Sequence, residues 1–283
     1  ETDNIVPWLA ELWLLVRQPP GSPVPSDDIQ KLHPAMWATN FRDYAASAAR
    51  ARVRLLEAAG YTPYSARRLA FMPDIPAPLC ARDPVGASTT NHDAIISMLK
   101  HLSKHQRILM PTTNSAYGSG DKNNFCDEES PLNPISLYGT SKVDAERAIL
   151  DAGYSTSLRL ATVFGVSPRP RLDLLVNDFV FQAARQRFIV VFEGHFKRNY
   201  IHVRDVVRAF QFVIDHPDVT IGEPYNVGLS SANLSKLDLC EAIRVHIPSL
   251  LVIGNQFAKD PDKRNYIVSN DKIDRKSTRL NSS

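Results

Sequence analysis

The chain predicts an α/β fold built on a doubly wound parallel sheet, and three observations carry that prediction. From residue 75 onward, short apolar runs alternate with amphipathic helical stretches. The links between them are short, which implies βαβ units with right-handed crossovers. A loop rich in Asn, Ser, Gly and Asp, residues 112–134, follows one apolar run. Parallel sheets place their ligands at such strand ends.

The elements follow in order. "HDAIISMLKHLSKH" (92–105) has apolar residues at helical spacing, and "RILMP" (107–111) reads as a short strand. "SKVDAERAILDAG" (141–153) reads as a helix closed by Gly153, and "STSLRLATVFG" (155–165) as the next strand. Beyond Gly165 the pattern loosens. Helices are expected at 171–186, 204–216 and 234–247, a strand at 188–193 and a late strand at "YIVS" (266–269). This second region is expected to cover the open end of the sheet. Residues 1–70 differ: "RQPPGSPVPS" is a proline-rich loop and "DYAASAARARVRLLEAAGY" a helix ended by Gly60. No β-branched run there makes a parallel strand.

Composition narrows the function. With 43% hydrophobic and 22% charged residues, the chain resembles an ordinary globular protein. A net charge of +3 on scattered basic residues argues against nucleic acid. No apolar run approaches the ~20 residues of a membrane span. Cys80, Cys126 and Cys240 are far apart and odd in number, so they read as buried, reduced thiols of a cytoplasmic protein.

The chemistry centres on "SLYGTSKVDAE" (136–146), which sets Tyr138 and Lys142 on one helix face. A tyrosine of pKa ~10 is a poor base at neutral pH, but a neighbouring ammonium stabilises its phenolate. Such a tyrosine can take a proton from an alcohol as hydride leaves, and return it. The spacing alone is weak, because nine tyrosines would yield one such pair by chance roughly a third of the time.

Context strengthens it. "TTNSAYG" (112–118), "SLYGTSK" (136–142), "LRLATVFG" (158–165), "RNYIHVRDVVRAF" (198–210) and "YNVGLS" (225–230) follow one another in the order of a known pattern. Together they resemble the extended short-chain dehydrogenase/reductases, in the nucleotide-sugar branch of the NAD-dependent epimerase/dehydratase family. The resemblance covers residues 75–274 and implies a Rossmann-like sheet. It divides the chain into an atypical segment at 1–74, a catalytic half at 75–165, a substrate-binding region at 166–274 and a tail at 275–283.

The resemblance also assigns roles. Tyr138 is the acid/base, Lys142 tunes it and bonds the nicotinamide ribose, and Thr113 hydrogen-bonds the reacting oxygen. Asn91, Thr112 and Ala161 fall on the cofactor side, although Asn91 also reads as a helix N-cap. Arg198 and Arg264 match positions that grip the substrate's diphosphate, where an arginine fork suits phosphate oxygens; solvated surface arginine is the alternative. Asn177 is either a nucleotide contact or an ordinary helix position. Asp205 reads as a cap or turn residue and His202 as packed beside the sheet. Neither Cys126 nor His195 has a sequence partner for nucleophilic or metal chemistry. The implied cofactor is NAD, with NADP also open. The implied partner is a nucleotide sugar, and a homodimer is implied through the helix bearing Tyr138.

In family dehydratases an Asp and a Glu follow the catalytic Thr. Here Asn114 and Ser115 stand there. Neither is a carboxylate acid or base, which favours an epimerase or reductase. The family's G-x-x-G-x-x-G turn is missing, since residues 1–70 hold only Gly21 and Gly60. Both ends of the chain are therefore expected to be foreign to the family, as a shifted frame or fused fragment would leave them. A catalytically inactive relative that binds a nucleotide sugar or a protein is the second reading.

Overall fold

The computed structural model describes residues 80, 82–101, 107–119, 125–153, 155–166, 171–255 and 264–281. The expectations for residues 1–74 lie outside them. A short helix, α1 (Pro84–Ser88), opens on Asp83, whose carboxylate accepts the Gly86 N–H at 2.8 Å. A π-turn at Thr89–Asp93 joins it to α2 (Ala94–Leu99). Strand β1 (Ile108–Thr113) leads into a 3₁₀ turn (Asn114–Tyr117), and α3 (Leu137–Asp151) follows. The predicted strand at 155–165 is divided into β2 (Ser155–Leu160) and β3 (Thr162–Phe164).

Then come α4 (Leu175–Gln186), β4 (Phe188–Phe192), β5 (Lys197–His202), α5 (Val203–Asp215), α6 (Pro217–Thr220) and β6 (Pro224–Val227). The chain closes with β7 (Asn233–Ser235), α7 (Lys236–His246), β8 (Leu251–Asn255) and α8 (Asp271–Asn281). The late strand expected at 266–269 is reduced to one bridge, Val268 with Cys126. The helix α8 continues through the 274/275 boundary, and Lys276 bonds the Tyr225 hydroxyl at 2.6 Å.

The central sheet has the order β1-β2-β6, all parallel. Its faces alternate as a pleated strand requires. Met110 packs with Ala94, Ile95, Met98, Ala145 and Ile149 of α2 and α3. On the opposite face Leu158, Tyr225 and Val227 pack with Val206 and Val213 of α5 and Ile273 of α8. Helices on both faces make the sheet doubly wound. At Ala161 the strand changes sheets. Its N–H still bonds Val227 O at 2.9 Å, and β3 then pairs with β5, which pairs antiparallel with β7. The β4–β8 pair and α4 and α7 enclose a separate core around Phe179, Ile189, Leu239 and Ile243.

A polar seam lies between β1, β2 and α3. Thr112, Ser157 and Arg159 share the face that meets Glu146, and Arg159 is opposite Thr112 on β1 and Asn226 on β6. Arg159 donates to Glu146 Oε1 through Nε at 3.0 Å and Nη2 at 2.7 Å. The hydroxyls of Thr112 and Ser157 donate to Oε2 at 2.9 and 2.5 Å. Nη1 of Arg159 donates to the Tyr117 hydroxyl at 3.0 Å, which reaches Asn226 Oδ1 at 2.8 Å. The Asn226 N–H is bonded in turn by Glu128 Oε1 at 2.7 Å. Burial pushes the Tyr117 phenol and the Glu128 carboxyl up. Burial works against the Arg159 charge, and its bonds to Glu146 and Tyr117 more than offset that.

Both side chains of the Glu146–Arg159 pair are at most 5% exposed. Breaking such a pair from one side leaves an uncompensated charge. Arg159→Met is expected to lower unfolding free energy by about 3–5 kcal/mol in urea titrations. The double variant Glu146→Leu/Arg159→Met is expected to lose much less, because no charge is stranded.

Candidate active site

The site is built where β1 ends and α3 begins. Thr113 is extended, and its Oγ1 accepts the Ser115 N–H at 3.1 Å, which caps the 3₁₀ turn. Ser136 caps α3 by accepting the Gly139 N–H at 3.1 Å, so Tyr138 lies in the first helical turn and Lys142 one turn later. Gly139 allows a close approach here. A Cβ on it would stand 2.9 Å from Pro134 Cβ and 3.5 Å from Ser115 O. This contact brings the Tyr138 turn beside the turn that follows Thr113. Tyr138 is half-buried, and Lys142 is 1% exposed.

The second wall comes from the strand change. Gly165, after β3, has φ of +126°, and a Cβ there would meet His202 Nε2 at 2.5 Å. Its N–H donates to Asn177 Oδ1 at 3.2 Å, and Asn177 Nδ2 donates to Arg171 O at 3.0 Å. One buried carboxamide thus ties the strand end to the Arg171 segment. Arg171 forks onto Asp173 at 2.7 and 2.6 Å. That bond is the main reason its pKa is raised, and the Tyr138 phenol is close enough to contribute.

The other expected residues are distributed as follows. Ala161 is buried at the β2–β3 bend. Thr112 directs its hydroxyl into the polar seam, so only its backbone is available to a cofactor. Asn91 is not an N-cap. It sits buried in the π-turn against α3, with its amide donating to Cys80 Sγ at 3.9 Å, and π-turns often mark functional positions. Asn177 stands within α4 and is buried by the ties just described. Arg198 is buried on β5 opposite Leu234 of β7. Arg264 donates through Nη1 to Ser115 Oγ, which brings it to the same strand end as Thr113.

His202 is fully buried and caps α5 by accepting the Arg204 N–H at 3.2 Å. Asp205 pairs with Arg208 at 2.8 Å. Among the described residues, no three His, Cys, Asp or Glu side chains gather as a metal site. None of the described helices is long and apolar enough to cross a membrane. Sequence reasoning missed Arg171, the Arg264–Ser115 contact and the Glu146–Arg159 seam. One signal was available for the seam: Arg159 interrupts an otherwise buried strand, and such an arginine needs a carboxylate.

Comparison with known proteins agrees with this architecture. Residues 78–228, more than half of the chain, match the model of the NAD dependent epimerase/dehydratase family. An uncharacterized UDP-glucose epimerase of Bacillus subtilis is 30% identical over 148 residues, covering 49% of this chain and 45% of that protein. A dTDP-glucose 4,6-dehydratase of Streptomyces niveus is 29% identical over 154 residues, covering 52% and 44%. The chain spans less than half the length of these curated relatives. Among solved structures, the Thermotoga maritima UDP-glucose 4-epimerase with UDP-glucose superposes with a TM-score of 0.63. It is 22% identical and covers 72% of this chain and 68% of that one. A Thermus thermophilus UDP-glucose 4-epimerase complexed with NAD has a TM-score of 0.61 at 18% identity, covering 73% and 70%. These two likenesses concern the fold.

Gly165→Ala tests the second wall. Its positive φ is expected to cost about 1–3 kcal/mol as strain, and the clash with His202 a similar amount. Thermal unfolding of the two proteins side by side measures the loss.

Proposed function

Because the chain belongs to the NAD dependent epimerase/dehydratase family, we propose that it oxidises and reduces one carbon of a nucleotide sugar, as an epimerase or reductase working through a keto intermediate. The observation that carries this reading is the capped start of α3, with Tyr138 and Lys142 one turn apart beside the end of β1. Tyr138 takes the proton of the sugar hydroxyl and later returns it. The Lys142 ammonium stabilises the phenolate; bringing a phenol from ~10 to near 7 requires roughly 4 kcal/mol of differential stabilisation. Thr113 donates a hydrogen bond to the reacting oxygen. Asn114 and Ser115 hold no carboxylate, so the proton transfers of an elimination have no donor in that turn.

The residues present fit the nicotinamide half of a dinucleotide. Lys142 and Asn91 are buried, Asn91 against α3, and Ala161 lies at the strand bend. When bound, NAD or NADP supplies the hydride acceptor. For the pyrophosphate half the sequence holds no glycine-rich turn, and Gly21 and Gly60 are the only glycines in its first 79 residues. The second reading is a relative that binds a nucleotide sugar without turning it over. In both readings Arg198 and Arg264 grip the diphosphate, where an arginine fork suits phosphate oxygens. Asn177 then acts through the Arg171 segment. A cytoplasmic homodimer through α3 belongs to the same proposal, and light scattering reads its mass.

Calorimetric titration with NAD, NADP, UDP-glucose and dTDP-glucose separates the readings. Heat from a cofactor and a sugar supports the enzyme. Heat from the sugar alone, with none from millimolar cofactor, supports the binding relative. In the active protein, Tyr138→Phe is expected to lower kcat about 10²–10⁴-fold with sugar affinity retained.

A further inference from the structure

The loop that leads into α3 is gripped on both sides by glycines. On one side stands Gly118, which ends the 3₁₀ turn after Thr113 with φ of +64°. A Cβ there would overlap the carbonyl oxygen of Asn133 and stand 3.3 Å from Ile135 Cγ2. On the other side is Gly139, in the first turn of α3, where a Cβ would stand 2.9 Å from Pro134 Cβ. Carbon atoms pack best at ~3.5–4.0 Å. Asn133, Pro134 and Ile135 therefore lie between the two turns with no room for a methyl group on either side.

Both turns are anchored. The four residues of the 3₁₀ turn are all buried, and the Tyr117 hydroxyl bonds Asp127 O and Asn226 Oδ1, both at 2.8 Å. α3 is tied to β2 by the bond from Arg159 to Glu146, and its cap, Ser136, directly follows residues 133–135. Thr113 immediately precedes the first turn, and Tyr138 immediately precedes Gly139. The thickness of three loop residues thus sets how closely the two turns approach.

Resting on the nucleotide-sugar reading, we propose that residues 133–135 are a spacer and Gly139 a positioning residue. The missing side chain of Gly139 lets the Tyr138 turn close on the Thr113 turn to the separation that one sugar oxygen bridges. Neither Gly139 nor Pro134 touches substrate or moves a proton. They act through Tyr138, whose phenol must reach the same oxygen as the Thr113 hydroxyl.

The test compares wild type, Gly139→Ala and the double variants Gly139→Ala/Pro134→Gly and Gly139→Ala/Pro134→Ala. It reads turnover of UDP-glucose and dTDP-glucose with NAD, and calorimetric binding of UDP. Gly139→Ala is expected to lower kcat roughly 10–100-fold with UDP affinity unchanged. The limb of the kcat–pH profile that reports Tyr138 is expected to keep its position, because Lys142 travels with Tyr138 on α3. Pro134→Gly removes the Cβ that the new methyl group meets and is expected to restore most of kcat. Pro134→Ala keeps that Cβ and is expected to restore none. Alanine favours a helix over glycine, so a glycine without a positioning role would give an equally or more stable protein with unchanged kcat, which overturns the proposal. Weaker UDP binding alongside the fall in kcat, a shifted limb, equal rescue by both proline variants or no rescue by Pro134→Gly also overturns it. Each of these leaves the functional reading standing. A wild type that turns over neither sugar removes the functional reading and this proposal with it.

Discussion

The bond between Glu146 and Arg159 organises this molecule. A charged pair inside a parallel sheet is costly to desolvate, and it persists here because every lobe of it is used. Glu146 accepts from Thr112, Ser157 and Arg159, and Arg159 hands the network on to Tyr117 and Asn226. The seam joins three strands to one helix. Thr112 immediately precedes Thr113, and Glu146 follows Lys142 by one helical turn. The same interaction therefore sets the relative positions of the strand end and the helix that carry the proposed chemistry. It does so from behind, without entering the site.

The front of the site depends on a different device. The strand after α3 serves two sheets in succession, pairing with β1 and β6 and then with β5. The change of sheet at Ala161 hands the chain from the central sheet to the second region. Gly165 lets the chain pass His202 closely, and the carboxamide of Asn177 secures the following segment. The segment after β3 is thus held by backbone bonds to one buried side chain.

Much of the fold was legible from residue 80 onward. Short apolar runs located β1 and β4, and helical spacing located α3, α4, α5 and α7. β7 and β8 escaped notice: the first has only three residues, and the second was passed over although Leu250–Ile253 form an apolar run. "YIVS" misled for the opposite reason, being apolar enough for a strand although only Val268 finds a bridge. At the site, spacing and order located Thr113, Tyr138 and Lys142. Asn91 was ambiguous because an asparagine within a π-turn looks like a cap in sequence. The seam was invisible because its partners, at 112, 117, 128, 146, 157, 159 and 226, meet only after the sheet forms.

Lys142 differs from an ordinary surface lysine in reagent access. At 1% exposure its amine is out of reach of acylating reagents in the closed protein, while lysines on the outer helix faces are not. Covalent labelling of that single amine therefore proceeds only through local opening of the α3–sheet interface. The rate at which it is labelled becomes a clock for how often the mouth of the sheet breathes.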